Sequence, residues 1–428
     1  MLAPNTFTRR NALFNAAALG LSANTTLSLA DAPDRRSPRL VAGIVTAYAR
    51  GLHADVLLGK ILEGWRQDGG PGPLLKLAAM YVDQFPAQDM ARSMASKYKV
   101  PIFDSIEQAI TLGGNQVAVD GVISIGEHGN YPYNSKGQQL YPRRRFFEAI
   151  TDTFAKYETV VPVFNDKHLG PQWVDAKWMY DRAQRLAVPF MAGSSMCVGF
   201  RTPAIDVPMG CEIEAAVGIG YSGLDIYGSH ALEFLQAHVE RRRGAERGVA
   251  WVQCLRGPAI WKIVDDGTID QRLLDAALAV TPHQSGADMR SSADATVFLL
   301  QYLDGLTAAV FMLPSFSSGT SVALRIKGSP QPLATRFDER TEPRHPHFAY
   351  LLKAIERMFH TGKPAYPVER TLLTSGILDR ALTSLADGQR RLVTPELAIE
   401  YQPVDYRHAP NPQLDLDPHA DLGDRQNS

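Results

Sequence analysis

From residue 40 the chain alternates short apolar runs with longer segments of helical periodicity. Residues 40–45 are an apolar run of strand length, and 54–65 set Leu57, Leu58, Ile61, Leu62 and Trp65 at helical spacing. A second apolar run, 74–82, ends at Asp83. It follows Asp68-Gly69-Gly70-Pro71-Gly72-Pro73, a loop by composition. A helix at 87–98, a short strand at 100–103 and a helix opening on Asp104 or Ser105 as N-cap come next. A strand at 119–125, a helix at 144–157, a strand at 160–164, a helix at 174–186 and a strand at 188–192 complete the series. Strands separated by helices of this length imply βαβ crossovers and a parallel sheet.

After residue 201 the pattern changes. A long helix at 229–243 is followed by strand-like runs at 249–255, 259–264, 293–303, 308–313 and 320–326, mostly without helices between them. That pattern predicts a mostly antiparallel sheet. Residues 347–361 and 371–385 read as helices that close the chain. The fold expected is therefore α/β: a Rossmann-like parallel-sheet domain over 38–200, then an α+β domain over 201–403. The segment 404–428 is rich in Pro, Asp and Asn and is expected to be disordered. No internal repeat is visible.

With 428 residues, two domains after a leader are expected. Hydrophobic residues make up 45% and charged residues 21%, and the net charge is −1, which argues against a nucleic-acid-binding protein. The triplets Arg143-Arg144-Arg145 and Arg241-Arg242-Arg243 read as solvated helix faces. Three cysteines, Cys197, Cys211 and Cys254, lack zinc-site spacing and read as small buried residues, with one disulfide left open. At the N-terminus, Arg9-Arg10 precedes a short apolar run and the small-residue site Ser28-Leu29-Ala30. Residues 1–30 therefore read as a twin-arginine signal, and the mature protein as periplasmic. That run is too short to span a bilayer.

The candidate chemistry gathers at the ends of the predicted parallel strands, where open α/β sheets bind ligands. Asp166-Lys167-His168 follows one strand and Glu127-His128 another. His230 stands at the start of the long helix, between Asp225 and Glu233. Lys167 and His230 together offer an amine and a titratable imidazole, the groups that proton transfer at a carbinol needs. Asp225 or Glu212 is expected to orient His230. Tyr131, Tyr133 and Tyr141 offer aromatic faces for a sugar ring. His53, His345 and His347 are further candidates for the cleft. The pattern does not require a metal; if one binds, its ligands are expected among Glu127, His128, Asp166, His168, Glu212 and His230.

These segments, in order, resemble the glucose–fructose oxidoreductase, inositol dehydrogenase and MocA family over residues 40–401. Residues 91–104 and 119–125 are similar to its helix and strands after the second β-strand. Asp166-Lys167-His168 stands in the place of its Glu-Lys-Pro, and Gly228-Ser229-His230 resembles the end of its Asp-x-Gly-x-His segment. Gly362-Lys363-Pro364 resembles the exit of its penultimate helix. The resemblance implies that Lys167 is catalytic, that His230 is the acid/base and that NAD(P) is the cofactor. Gly43, Thr46, Asp83 and Glu127 would then meet the nucleotide, and His128, Tyr131, Asp166, His168 and Glu212 the substrate. It also implies a homo-oligomer built on an exposed sheet. The chain departs from the family where Val45 and Tyr48 replace the second and third fingerprint glycines; a valine side chain intrudes where backbone should approach pyrophosphate. The acid before His230 is also displaced, to Asp225.

Three readings follow. The first is an exported oxidoreductase for a sugar, polyol or cyclitol, with Lys167 and His230 handling the proton. The second is a metal-dependent lyase, hydrolase or isomerase for carbohydrate-like substrates on the same fold. The third is a carbohydrate-binding protein without activity.

Overall fold

The computed structural model describes residues 28–29, 37–284 and 288–410. The expected leader lies outside the described residues, except for 28–29, which pair in parallel with 159–160. Six strands form the first sheet: β1 (Arg39–Val45), β2 (Leu75–Val82), β3 (Ile102–Phe103), β4 (Gly121–Ile125), β5 (Val163–Asp166) and β6 (Phe190–Gly193). All pair in parallel, in the order β3-β2-β1-β4-β5-β6. This is the doubly wound dinucleotide-fold order, whose winding reverses between β1 and β4.

The strands are connected through α1 (His53–Glu63), α2 (Ala91–Tyr98), α3 (Ile106–Thr111), α4 (Arg143–Lys156) and α5 (Trp173–Arg185). Both faces of the sheet are covered, so β4 is buried at every position and shows no polar alternation. Along β1, Val41 and Val45 pack towards α1, while Ala42 and Ile44 pack towards α3 and α4. Ser105 caps α3, its hydroxyl accepting the Gln108 N–H, as the sequence predicts. The strand expected over 160–164 is interrupted at Val161-Pro162, because proline has no N–H for a ladder.

The second sheet has eight strands: β7 (Arg201–Thr202), β8 (Ile213–Gly220), β9 (Val249–Arg256), β10 (Thr296–Tyr302), β11 (Thr307–Met312), β12 (Ser321–Ile326), β13 (Leu333–Phe337) and β14 (Leu392–Val393). Their order is β14-β9-β10-β11-β8-β12-β13-β7, antiparallel except for β8 with β11. One face packs on α6 (Ile226–Val239) and the other on α7 (Pro258–Asp265) and α8 (Gln271–Val280).

The helix α7 corrects the strand expected over 259–264. Pro258 occupies its first turn, and Ile260, Trp261 and Val264 fall on one helical face. Together α7 and α8 cover one face of the second sheet, which the sequence led us to expect exposed.

Two further helices close the chain, α9 (His347–Thr361) and α10 (Glu369–Ala386). Although α9 follows the second sheet in sequence, it packs on the first: Leu351, Leu352, Ile355, Met358 and Phe359 join the core of α1 and β1. The boundary at residue 200 therefore does not divide the two cores. The tail expected to be disordered is docked as far as residue 410, with Ala409 buried and its N–H donated to Val198 O at 2.9 Å. The remainder, 411–428, lies outside the described residues.

Candidate active site

Each strand of the first sheet ends in a turn that delivers polar side chains to one edge. Lys167 follows β5 and His128 follows β4. Both adopt a left-handed backbone, with φ of 69° and 68°. A non-glycine residue held in this region costs free energy, and such strain gathers at functional sites. From the other side, α6 opens towards the same edge and projects His230 one turn in.

Lys167 Nζ donates to His230 Nε2 at 2.7 Å. An ammonium has only donors, so Nε2 accepts and the neutral ring carries its proton on Nδ1. That proton is donated to Ser194 Oγ at 2.8 Å. Glu233, one turn after His230, accepts the Ser194 N–H at 2.6 Å and the Thr371 hydroxyl at 2.7 Å. Gly193 makes this arrangement possible: its φ is 123°, and a Cβ there would lie 2.6 Å from Glu233 Oε1. Burial, then the charge of Lys167, holds His230 well below the ordinary imidazole range. At neutral pH the ring is therefore a neutral base.

A second group lies beside this chain. His53, the first residue of α1, donates from Nδ1 to Asp166 Oδ2 at 2.5 Å. Its ring packs edge-on to His128, with centroids 5.1 Å apart. Arg143 donates to Glu127 Oε2 at 2.8 Å and to His168 Nε2 at 2.9 Å, and His168 Nδ1 in turn donates to Gly170 O at 2.9 Å. Burial raises Glu127, but the charges of Lys167, His53 and Arg143 outweigh it and hold the carboxyl below its usual range. Asp166 is raised by burial, against the pull of Lys167 and Arg143.

The fold is now sufficient for comparison. No family model and no curated protein matches the chain. Among solved structures it is similar to GenD2 of gentamicin A biosynthesis, solved with NAD, at TM-score 0.54 and 12% identity over 83% of this chain and 96% of that one. A putative myo-inositol dehydrogenase from Sinorhizobium meliloti matches at 0.52 and 14%, over 83% and 99%. A myo-inositol dehydrogenase from Corynebacterium glutamicum matches at 0.52 and 12%, over 83% and 98%. The chain shares its fold with these proteins. At such identities the residues must speak for themselves.

Lys167, His230, Glu127, His128, Asp166 and His168 all reach the common edge. Asp225 and Glu212 do not orient His230, which is the work of Ser194. Asp225 instead accepts the Gln139 backbone N–H at 2.8 Å, and burial pushes its carboxyl up to about 6. Glu212 pairs with Arg243 and Lys327 at the protein surface. The length of β8, about 25 Å at strand rise, separates it from the turn that leads to His230. Tyr131 does not face the cleft pair but donates to Asp83 Oδ2 at 2.6 Å. Gly43 lies inside β1, where a Cβ would meet Leu58 at 2.6 Å; it allows α1 to pack closely. Arg143 is buried, against its reading as solvated. Cys197, Cys211 and Cys254 are all free thiols.

A dinucleotide makes three demands on such an edge. At the end of β2, Asp83 fits the residue that takes ribose hydroxyls, held by Tyr81, Tyr131 and Arg145. Beyond β5, Lys167 and His230 fit the reacting end. The pyrophosphate seat is built differently: Tyr48 is fully buried in the core where a glycine would stand. The Thr46 N–H is donated to Ile125 O at 3.1 Å and the Gly51 N–H to Asp55 Oδ2 at 2.9 Å. Thr46 Oγ1 bonds Glu127 O, which ties the end of β1 to the turn after β4.

Proposed function

We propose that the protein is an oxidoreductase that acts on a carbinol of a sugar, polyol or cyclitol with a nicotinamide cofactor, in the periplasm. The observation that carries this reading is the 2.7 Å contact between Lys167 Nζ and His230 Nε2, with the imidazole fixed by Ser194. The nearby fold relatives include a protein solved with NAD and inositol dehydrogenases, which supports the same class. The twin-arginine pattern at Arg9-Arg10 supports export.

In this reading Lys167 donates a hydrogen bond to the substrate hydroxyl and stabilises the alkoxide that forms as its proton leaves. His230 takes that proton at Nε2, and Ser194 keeps the opposite nitrogen protonated so that Nε2 faces the substrate. Asp83 would hold the ribose. When bound, a nicotinamide ring supplies the two-electron acceptor for the carbinol hydride. Burial of the edge limits water at the alkoxide.

The test is direct. Purified protein, once denatured, is expected to release a nicotinamide dinucleotide identifiable by mass spectrometry. A panel of aldoses, polyols and cyclitols is expected to raise reduced-nicotinamide absorbance. Protein that carries no dinucleotide, and reduces none with any member of the panel, overturns the proposal. Terminal sequencing of the exported protein is expected to begin near Asp31.

A further inference from the structure

The crevice between β1 and β4 is the switch point of the sheet, the place where doubly wound folds take their ligand. Its rim consists of His53 after β1 and Glu127-His128 after β4. One ligand-type atom from each of these three residues lies within 4.8 Å of the others. We propose that His53, Glu127 and His128 form a divalent-cation site, with Zn²⁺ as the ion that suits two imidazoles and one carboxylate.

Three observations beyond the cluster support it. Asp166 is fully buried and bonds His53 Nδ1, which fixes the ring and leaves Nε2 as the free donor. A carboxylate behind a histidine in this way is the usual support for a metal-bound imidazole. The second oxygen of Asp166, Oδ1, is buried without a hydrogen-bond partner among the described residues, and so is His128 Nε2. Buried polar atoms of this kind are rarely left unpaired. Finally, Arg143 engages only Oε2 of Glu127, leaving Oε1 for the ion.

A tetrahedral ion at about 2.1 Å from each ligand would draw the three atoms to about 3.4 Å apart. The set therefore closes by a small side-chain movement. Three protein ligands leave a fourth position for water or a substrate oxygen. Lys167 follows the neighbouring strand β5, and its charge acts on both His53 and Glu127. A substrate with adjacent hydroxyls, or a hydroxyl beside a carboxylate, could span the ion and Lys167.

This site keeps Glu127 and His128 of the ligand set expected from sequence and adds His53, with Asp166 behind it. His168 is held by Arg143 and Gly170, His230 by Lys167 and Ser194, and Glu212 is remote. The cation site does not depend on the nicotinamide reading, since Lys167 and His230 are not its ligands.

Metal-free protein equilibrated with Zn²⁺ or Co²⁺ and then desalted is expected to retain about one ion per chain by elemental analysis. The Co²⁺ form should show the intense visible bands of a tetrahedral site. Glu127→Gln and His128→Ala should abolish retention, Asp166→Asn should weaken binding about 10–100-fold, and Glu212→Gln should leave it unchanged. Circular dichroism of each variant separates loss of a ligand from loss of fold. Wild-type protein that retains neither ion, or retention unaffected by Glu127→Gln and His128→Ala in folded protein, overturns the proposal.

Discussion

Helix α6 carries a buried polar cluster at each end, and the two are finished to different degrees. At its C-terminal end Glu240 receives Arg370 and the Tyr401 hydroxyl, the latter at 2.9 Å. Gln236 bonds Glu246, Tyr401 and Tyr302, and Arg242 is shared between Glu246 and Asp304. No side-chain atom of these residues is left buried and unpaired, although His238 Nε2 and the Tyr366 hydroxyl among their neighbours are. At the N-terminal end Asp166 Oδ1, His128 Nε2, Asn165 Oδ1, Ser124 Oγ and Arg143 Nε are all buried without partners among the described residues. Each such group costs about 1–3 kcal/mol. The first cluster ties α6 to α10 and the second sheet; in the proposal above, Asp166 and His128 of the second find their partners in a bound ion.

The comparison breaks most visibly if the open cluster does no chemistry. Lys167→Met is expected to lower kcat/KM by about 10²–10⁴-fold, the scale of a lost proton-handling group; steady-state kinetics reads it. At the closed cluster, Arg370→Ala leaves the Glu240 carboxylate buried without its cation and is expected to cost about 3–5 kcal/mol of stability by denaturant unfolding. A cost below 1 kcal/mol would remove the contrast.

Acid sharpens it next. Burial, then Arg201 for His238 and His345 for His347, lowers both imidazoles, His347 to about 3. A histidine with a lowered folded value binds fewer protons folded than unfolded, so its stabilising effect is full above about 6.5 and fades as pH falls below that. Thermal midpoints are therefore expected to drop from pH 7 to pH 5. Asp225, raised to about 6, and Asp166 and Glu233, also raised by burial, act in the opposite sense: each favours the folded state at the lower pH, Asp225 between its unfolded value near 4 and about 6. The histidines outnumber these acids, since His53, His128, His168, His230, His360 and His408 are lowered by burial as well. The smallest effect is at the surface, where Glu212→Gln is expected to change stability by less than about 0.5 kcal/mol and turnover not at all.

The first sheet was readable because its strands are continuous apolar runs ending in polar turns. The same rule, polar residues just past a parallel strand, found Lys167, Glu127, His128 and Asp166. Applied to β6, it also points to Ser194, the residue that orients His230. Arg143 was misread because it belongs to a triplet, although its spacing to Phe146, Phe147 and Ile150 puts it on the buried face of α4. The second sheet was harder: α7 and α8 are short and apolar, and α7 reads as a strand until Pro258 is taken as a helix start. The return of α9 to the first core was not legible, because local periodicity says where a helix is and not which sheet it covers.

The most direct test of the account is to measure turnover and thermal midpoint on one preparation of His230→Ala, with the wild-type substrate and cofactor. The account predicts a fall in kcat of about 10²–10⁴-fold in protein that stays folded at the assay temperature, with the midpoint lowered only by the loss of the Lys167 and Ser194 hydrogen bonds, about 1–3 kcal/mol. Full turnover in the variant, or unfolding that accounts for its loss, would contradict it.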